Sequence, residues 1–293
     1  MSRILDYVIL HFGRILPDKP YLSLRYRCLM GKWIDWKSPK TFTEKIQWLK
    51  LYNRKPEYTT MVDKYAVKQF VAERIGEEYI IPTLGVWNKP EDIDWDSLPD
   101  KFVLKTTHGG GSGGVVICSD INKFDKQAAI DKLNASLRSD IYASFREWPY
   151  KNVPKRIIAE KFMAPKKTGV DNFDELKDYK FFCFDGKVKF FKVDFDRFIE
   201  HHANYYSVDG SLLPFGEKDC LPQFDKHIEL PHNLRDMINL AEKLSVGFPF
   251  LRVDLYNVTG HIYFGELTFF PASGMGAFVP ESWDRKIGYM LDI

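Results

Sequence analysis

The apolar positions at the start of the chain recur with helical spacing. Ile4, Tyr7, Val8, Ile9, Phe12, Ile15 and Leu16 form one stripe, which predicts an amphipathic helix over residues 1–16. Its expected place is against the protein body, with a membrane surface as the alternative. Pro17 and Pro20 interrupt it. Thr41 and Glu44 have capping-box spacing, so a second helix is expected to open there. A third is expected from about Asp63 to Ile75, with Gly76 just past its end. Beyond Gly85 the period changes. Phe102–Lys105 and Val115–Cys118 read as strands, residues 123–148 as helix, and Arg156–Phe162 as strand. Tyr179–Phe184 and Lys187–Phe195 flank Asp185-Gly186, a hairpin signal. A helix over 233–246 and a pair of strands, Leu251–Tyr256 and Ile262–Phe270, complete a mixed α+β chain.

Between the first two strands lies Thr106-Thr107-His108-Gly109-Gly110-Gly111-Ser112-Gly113-Gly114. Glycines permit close backbone approach, and exposed N–H groups in such a loop can cradle phosphate oxygens. The loop matches the spacing of a dinucleotide fingerprint and of a nucleophile elbow, but both must open a helix and here a strand follows. It also fits a protein-kinase glycine loop, yet no H-R-D or D-F-G follows, and no Lys-Ser/Thr follows the last glycine to make a Walker A. Phosphate binding is the expectation, against the alternative of a flexible hairpin tip. Lys105, at the end of the strand leading in, is placed to bridge nucleotide phosphates.

In Leu251-Arg252-Val253-Asp254-Leu255, alternation puts Arg252 and Asp254 on one face; Glu266 and Thr268 share a face of the next strand. Residues 254 and 266 have equal parity, so they meet only if the connection holds an odd number of residues or a bulge intervenes. That irregularity is expected near Asn257–His261. Two carboxylates suit Mg²⁺ carried in with nucleotide phosphates; an Arg252–Asp254–Glu266 salt-bridge cluster is the competing reading.

Charge adds an asymmetry. The 293 residues carry a net charge of only +2, which gives no case for a nucleic-acid binder. Residues 1–60, however, hold 12 Lys and Arg against 5 Asp and Glu. A basic segment on a mildly acidic body favours an anionic partner, either a substrate or a membrane face, with a solvated helical surface as the alternative. No run approaches 18 consecutive apolar residues, no secretory signal is expected, and the four cysteines form no C-x-x-C pair. A reduced, cytoplasmic setting is expected, with peripheral contact at the cytoplasmic membrane face through residues 1–60 left open. Asp194-x-Asp196 is a D-x-D, followed by Arg197, that leaves a nucleotide-sugar glycosyltransferase as an alternative.

The ordered set resembles the ATP-grasp superfamily. It comprises Asp63-Lys64, Lys105 with Gly109–Gly114, Glu160-Lys161, Arg252-x-Asp254, and Glu266-x-Thr268 followed by Pro271-x-Ser273-Gly274. Thr41–Lys50, Asp178–Phe182 and Gly265–Phe269 are most similar to its TupA-like branch, associated with cell-surface polysaccharide synthesis. The resemblance implies two α+β lobes gripping ATP, over 63–160 and 161–293, after a helical segment over 1–62. It implies ATP and Mg²⁺ as cofactors. Lys64, Lys105 and Lys180 would hold phosphates. Gly109, Gly110, Gly111, Ser112, Gly113 and Gly114 would cover them, and Glu160, Lys161 and Met163 would border the adenine. Asp254 and Glu266, with Thr268 where an Asn is usual, would hold the metal, and Arg252 would stabilise an acylphosphate. The implied reaction joins a sugar carboxylate to an amine in surface or capsular polysaccharide. A non-catalytic nucleotide-binding module of a glycan assembly complex is the remaining alternative.

Overall fold

The computed structural model describes residues 3–111, 113–163, 176–196 and 200–293; Ser112 and Arg197 lie outside the described residues. Nine α-helices appear among them: α1 Arg3–Phe12, α2 Asp18–Met30, α3 Phe42–Tyr52, α4 Glu57–Val62, α5 Val67–Ile75, α6 Lys126–Leu137, α7 Ile141–Phe145, α8 Leu234–Ser245 and α9 Ser282–Gly288. The strands are β1 Thr83–Trp87, β2 Phe102–Thr106, β3 Val115–Cys118, β4 Ile157–Lys161, β5 Asp178–Phe184, β6 Lys187–Phe195, β7 His202–Ser207, β8 Gly216–Glu217, β9 Phe250–Val258, β10 His261–Thr268 and β11 Phe278–Val279. Helix α3 opens on the expected capping box: the Thr41 side chain accepts from the Glu44 N–H, and Glu44 accepts from the Thr41 N–H.

Three expectations change. The helix expected from Asp63 begins at Val67, because Asp63 instead turns the chain after α4 and its Oδ1 accepts from the N–H groups of Tyr65 and Ala66. The helix expected over 123–148 is two, α6 and α7; Asp125 caps the first, accepting from Ala128. The irregularity expected near Asn257–His261 lies at Gly265. Thr259-Gly260 forms a two-residue turn, and the register shifts between Phe264↔Leu255 and Glu266↔Asp254. A Cβ at Gly265 would sit 3.0 Å from the Asp254 carbonyl oxygen, which explains the glycine.

The chain packs as two units. One comprises Lys55–Tyr142 and Pro149–Asp174, and the other Met1–Arg54, Ala143–Trp148 and Glu175–Ile293. This grouping differs from three consecutive segments. Helix α3 belongs with the C-terminal half because Thr43 donates to Asp284 of α9 and Phe42 packs on Phe184, Phe250 and Phe278.

The first of these units is built on an antiparallel sheet of order β1-β4-β2-β3. Phe102, Leu104, Ile157 and Ala159 face its core with Leu133 of α6. The other unit holds a sheet of order β10-β9-β5-β6-β7. Helix α8 covers one face, where Cys183 Sγ lies 3.8 Å from the Ala241 carbonyl. The opposite face changes character along its strands. One end is aromatic, with Phe182, Phe184, Phe190 and Phe250 packed together beneath Phe42. The other end carries charge. All four cysteines are free thiols, and Cys118 and Cys183 are buried as expected.

Candidate functional site

In the sheet of β1–β4, Lys105 and Glu160 share a face because Val103 pairs with Glu160 across β2 and β4. The two Glu160 oxygens are divided between two lysines: Lys105 Nζ at 2.6 Å and Lys68 Nζ, from α5, at 2.6 Å. Burial alone would raise Glu160, but Lys105 and Lys68 outweigh it and hold the carboxyl below the ordinary glutamate range. Burial depresses Lys68, with Glu160 opposing. Lys68 was not singled out from the sequence; its place on the inner side of α5 is the signal that could have found it. The structure thus puts the Glu160 carboxylate at work positioning lysines, whereas Lys161 is exposed and Met163 half-buried.

The glycine loop joins β2 to β3 in the strand–loop–strand arrangement expected. Its base is tightly built. Thr106 Oγ1 and Ser136 Oγ lie 2.7 Å apart, and a Cβ at Gly109 or Gly114 would fall 2.5 or 2.3 Å from Thr106 Oγ1. Lys64 donates to the Gly109 carbonyl, and its own N–H donates to the Thr107 carbonyl. Asp63 beside it pairs with Arg156 at 2.7 Å. At the tip, Gly110, Gly111 and Gly113 are exposed, and Gly111 has φ +62°. The loop therefore combines a fixed base with a bare backbone tip, the form that offers N–H groups to an anion.

In the other unit, the bulge at Gly265 sets Glu266 opposite Asp254, and Thr268 opposite Arg252. Arg252 donates to both Asp254 oxygens at 2.7 Å, to Glu266 Oε1 at 3.0 Å and to Thr268 Oγ1 at 3.0 Å. Thr268 in turn donates to Glu266 Oε1. Its hydroxyl therefore orients Glu266 and receives Arg252. Lys180, from β5, lies beside Asp178 and reaches Asp194 at 2.7 Å and Asp254 at 3.7 Å. Lys192, from β6, joins Asp194 to Glu217, at 3.6 and 2.8 Å. Burial lifts Asp254 above the ordinary aspartate value, opposed by Arg252 and Lys180. Burial would lower Lys180, yet Asp178, Asp254 and Asp194 together raise it.

This face gathers five carboxylates, Asp178, Asp194, Glu217, Asp254 and Glu266, around three cations, Lys180, Lys192 and Arg252. Their ionised forms leave a surplus of two negative charges, and the donors are hard oxygens. Hard oxygens are the donors that a divalent cation such as Mg²⁺ takes, although both Asp254 oxygens are held here by Arg252. Glu266, with its side chain 37% exposed, is the member open to solvent. The salt-bridge cluster and the carboxylate pair read from the sequence are thus one assembly. Lys192 and Glu217 went unrecognised in the sequence, and Asp178 stood out there only as the start of a family-like segment. The Asp185-Gly186 turn alone would set Lys180 opposite Phe191; a register shift opposite Phe182 and Cys183, which skips Lys189, pairs Lys180 with Lys192 and Asp178 with Asp194 instead. The D-x-D carboxylates are both engaged, Asp194 by Lys180 and Lys192 and Asp196 by Lys226.

Comparisons with known proteins bear on the whole arrangement. No curated protein sequence matches the chain. Among solved structures, it is similar to D-alanine–D-alanine ligase from Helicobacter pylori, at 13% identity and a TM-score of 0.42 over 79% of this chain and 63% of that one. It is also similar to N5-carboxyaminoimidazole synthetase from Staphylococcus aureus with ADP, at 15% identity and a TM-score of 0.44 over 76% and 50% of the two chains. The ATP-grasp ligase PsnB with its minimal precursor follows at 14%, 0.39, 78% and 59%. The chain thus spans about two thirds or less of the length of these structures. The sequence profile described as TupA-like ATPgrasp matches residues 44–292, a span that holds every candidate site residue named above. The chain belongs to the TupA-like ATP-grasp family.

Proposed function

We propose that this chain is an ATP- and Mg²⁺-dependent carboxylate–amine ligase that acts through an acylphosphate. The observation that carries the reading is the Arg252–Asp254–Glu266–Thr268 constellation, held in register by the bulge at Gly265, in a chain of this family. The glycine loop with Lys105 and Lys64 supports the nucleotide half of the reading, and Lys161 ends β4 with Met163 just beyond it, where the adenine would lie.

In the proposed reaction a carboxylate oxygen of the acceptor attacks the γ-phosphorus of ATP. The new P–O bond forms as the bond to ADP breaks, giving an acylphosphate. An amine nitrogen then attacks the acyl carbon, phosphate leaves, and the nitrogen loses a proton to give an amide. Such phosphoryl transfer depends on positioning and charge neutralisation. The lysines of the first unit would bind and orient phosphate oxygens. Asp254 and Glu266 would hold Mg²⁺, which when bound supplies charge neutralisation of the phosphates. Lys180 would help hold the phosphates, Arg252 would stabilise negative charge on the acyl centre, and Thr268 would keep Glu266 turned toward the metal.

The acceptor in this proposal is a sugar carboxylate, such as a uronic acid of a surface or capsular polysaccharide, and the donor is an amino acid or amine. The test is incubation of the full chain with ATP, Mg²⁺, uronic-acid glycans and amino acids, followed by ADP release and product mass. Hydroxylamine replaces the amine in a parallel reaction. Amide or hydroxamate formation that depends on both ATP and the carboxylate is expected. ATP binding without either product across the panel, together with transfer from a nucleotide sugar, would overturn the reading.

A further inference from the structure

Helix α1 has two apolar faces, and only one is covered. Ile9, 7% exposed, packs with Leu5 and Leu16 on Tyr21 and Leu22 of α2. The other face carries Tyr7 at 60% exposure, Val8 at 42%, Phe12 at 73% and, in the 3₁₀ turn that follows, Ile15 at 92%. Val8, Phe12 and Ile15 fall one turn apart in a single stripe, and Tyr7 lies beside them with its ring 4.0 Å from that of His11. The stripe expected to dock on the body therefore divides, and its larger, aromatic part faces solvent.

Charge in the same segment is sorted in a way the sequence alone does not reveal. Three of its acids are engaged by side chains or backbone of the same unit. Asp6 accepts two bonds from Arg25; Asp18 pairs with Arg54 at 2.6 Å and Arg146 at 3.2 Å; Glu44 closes the α3 capping box. Among residues 5–54, Asp35 is the one exposed acid, and its Oδ1 accepts from the N–H groups of Lys37 and Ser38. Arg14, Lys19, Lys37 and Lys40 are exposed. More cations than acids of this segment are thus displayed outward, and one of them, Arg14, lies between Phe12 and Ile15 of the uncovered stripe.

We propose that α1 and the turn after it dock this protein on an anionic lipid bilayer. Tyr7, Val8, Phe12 and Ile15 would enter the boundary between headgroups and acyl chains, and Arg14 between them would meet a lipid phosphate. An interfacial helix is recognised by this pairing of an apolar stripe with basic flanks. Ten residues of helix span about 15 Å, half the hydrocarbon thickness, so α1 lies along the surface. No helix among the described residues is long and apolar enough to cross a membrane. A second protein surface would match the apolar stripe but gives no reason for the outward sorting of charge. The inference stands apart from the proposed ligase activity.

The test is co-sedimentation of the full chain with vesicles of phosphatidylcholine alone and of phosphatidylcholine mixed with phosphatidylglycerol. Binding to the mixed vesicles only, weakened by salt, is expected. Phe12→Glu with Ile15→Glu should reduce the bound fraction by about tenfold or more, and Arg14→Glu should weaken it less. The melting temperature and circular dichroism of these variants should match the parent, since the replaced side chains are exposed. Failure to bind the anionic vesicles, or equal binding by the parent and the double variant, would overturn the proposal. So would a vesicle-free dimer, seen by light scattering, that the double variant abolishes, because a second copy would then cover the stripe.

Discussion

Glu160 tests whether the charged cluster of the first unit is built around its lysines. Glu160→Gln keeps the side-chain shape and removes the one charge shared by Lys68 and Lys105, both at 2.6 Å. Removing one partner of a buried pair costs about 3–5 kcal/mol. The low end applies here, because Lys68 keeps its bonds to the Ile81 carbonyl at 2.7 Å and Thr83 Oγ1 at 2.9 Å, and Lys105 has a side chain 17% exposed through which it can turn to water. The expected loss is therefore about 3 kcal/mol in urea unfolding, with a fall of about 10 °C in the melting temperature. Nucleotide binding should respond in the opposite sense. If Lys105 binds phosphate, freeing it from Glu160 leaves MgATP affinity intact or improved, as isothermal titration calorimetry would show. Lys105→Met should instead weaken MgATP by about tenfold or more, the value of a charge-assisted bond. A Glu160→Gln variant of normal stability that no longer binds MgATP would refute this reasoning, because the carboxylate would then be contacting the nucleotide itself.

Three further predictions follow from the same geometry. Gly114→Ala forces a Cβ to within 2.3 Å of Thr106 Oγ1 and should cost about 1–3 kcal/mol in chemical denaturation, while Gly113→Ala, with open space around it, should stay within about 0.5 kcal/mol. Arg252→Met leaves Asp254 buried without its bidentate partner and should cost about 3–5 kcal/mol; adding Asp254→Leu should restore part of that loss, measured as a double-mutant cycle. Lys50 is fully buried, and burial, opposed by Glu147, depresses it to about 7. Between that value and its ordinary 10.5 the unfolded chain binds the proton that the folded chain has released, so stability rises with pH through this window and is lost as pH falls back through 7. Lys50→Met should flatten that rise, which approaches about 1.4 kcal/mol per pH unit, in melts recorded from pH 7 to 10.

The parts of the fold that local rules govern were legible in the sequence. The capping box at Thr41, the Asp185-Gly186 hairpin and the strands around the glycine loop depend on nearest neighbours in the chain. The parity of residues 254 and 266 showed that an irregularity was needed, but two places could satisfy it. Only the close approach of Gly265 to the Asp254 carbonyl decides between them. The grouping of residues into units was not legible, because it rests on pairs such as Thr43 with Asp284. The outward face of α1 was hidden for the same reason, since helical periodicity identifies an apolar stripe without saying what covers it.

The segment Thr41–Lys50 is tied to the turn that follows the Glu266-x-Thr268 strand. Helix α3 sends Gln47 and Lys50 to the turn at Pro271–Gly274, which follows the Glu266-x-Thr268 strand. Gln47 donates to the Ser273 and Gly274 carbonyls at 2.8 and 2.9 Å; Lys50 donates to the Ser273 carbonyl and hydroxyl at 2.8 and 2.7 Å. That turn holds Ala272 at φ +47° and Ser273 at φ +54°, a conformation that L residues adopt at a cost. Such a backbone persists only where its surroundings over-determine it, and four bonds from one helix supply that constraint. The burial of Gln47 and Lys50 within α3 is therefore explained by the turn they hold. The polar end of the β5–β9 face has a different cause, since its carboxylates and cations pair with one another across the strands. One set of buried polar groups fixes backbone shape and the other fixes charge, and the bulge at Gly265 lies in the strand that runs from the second to the first.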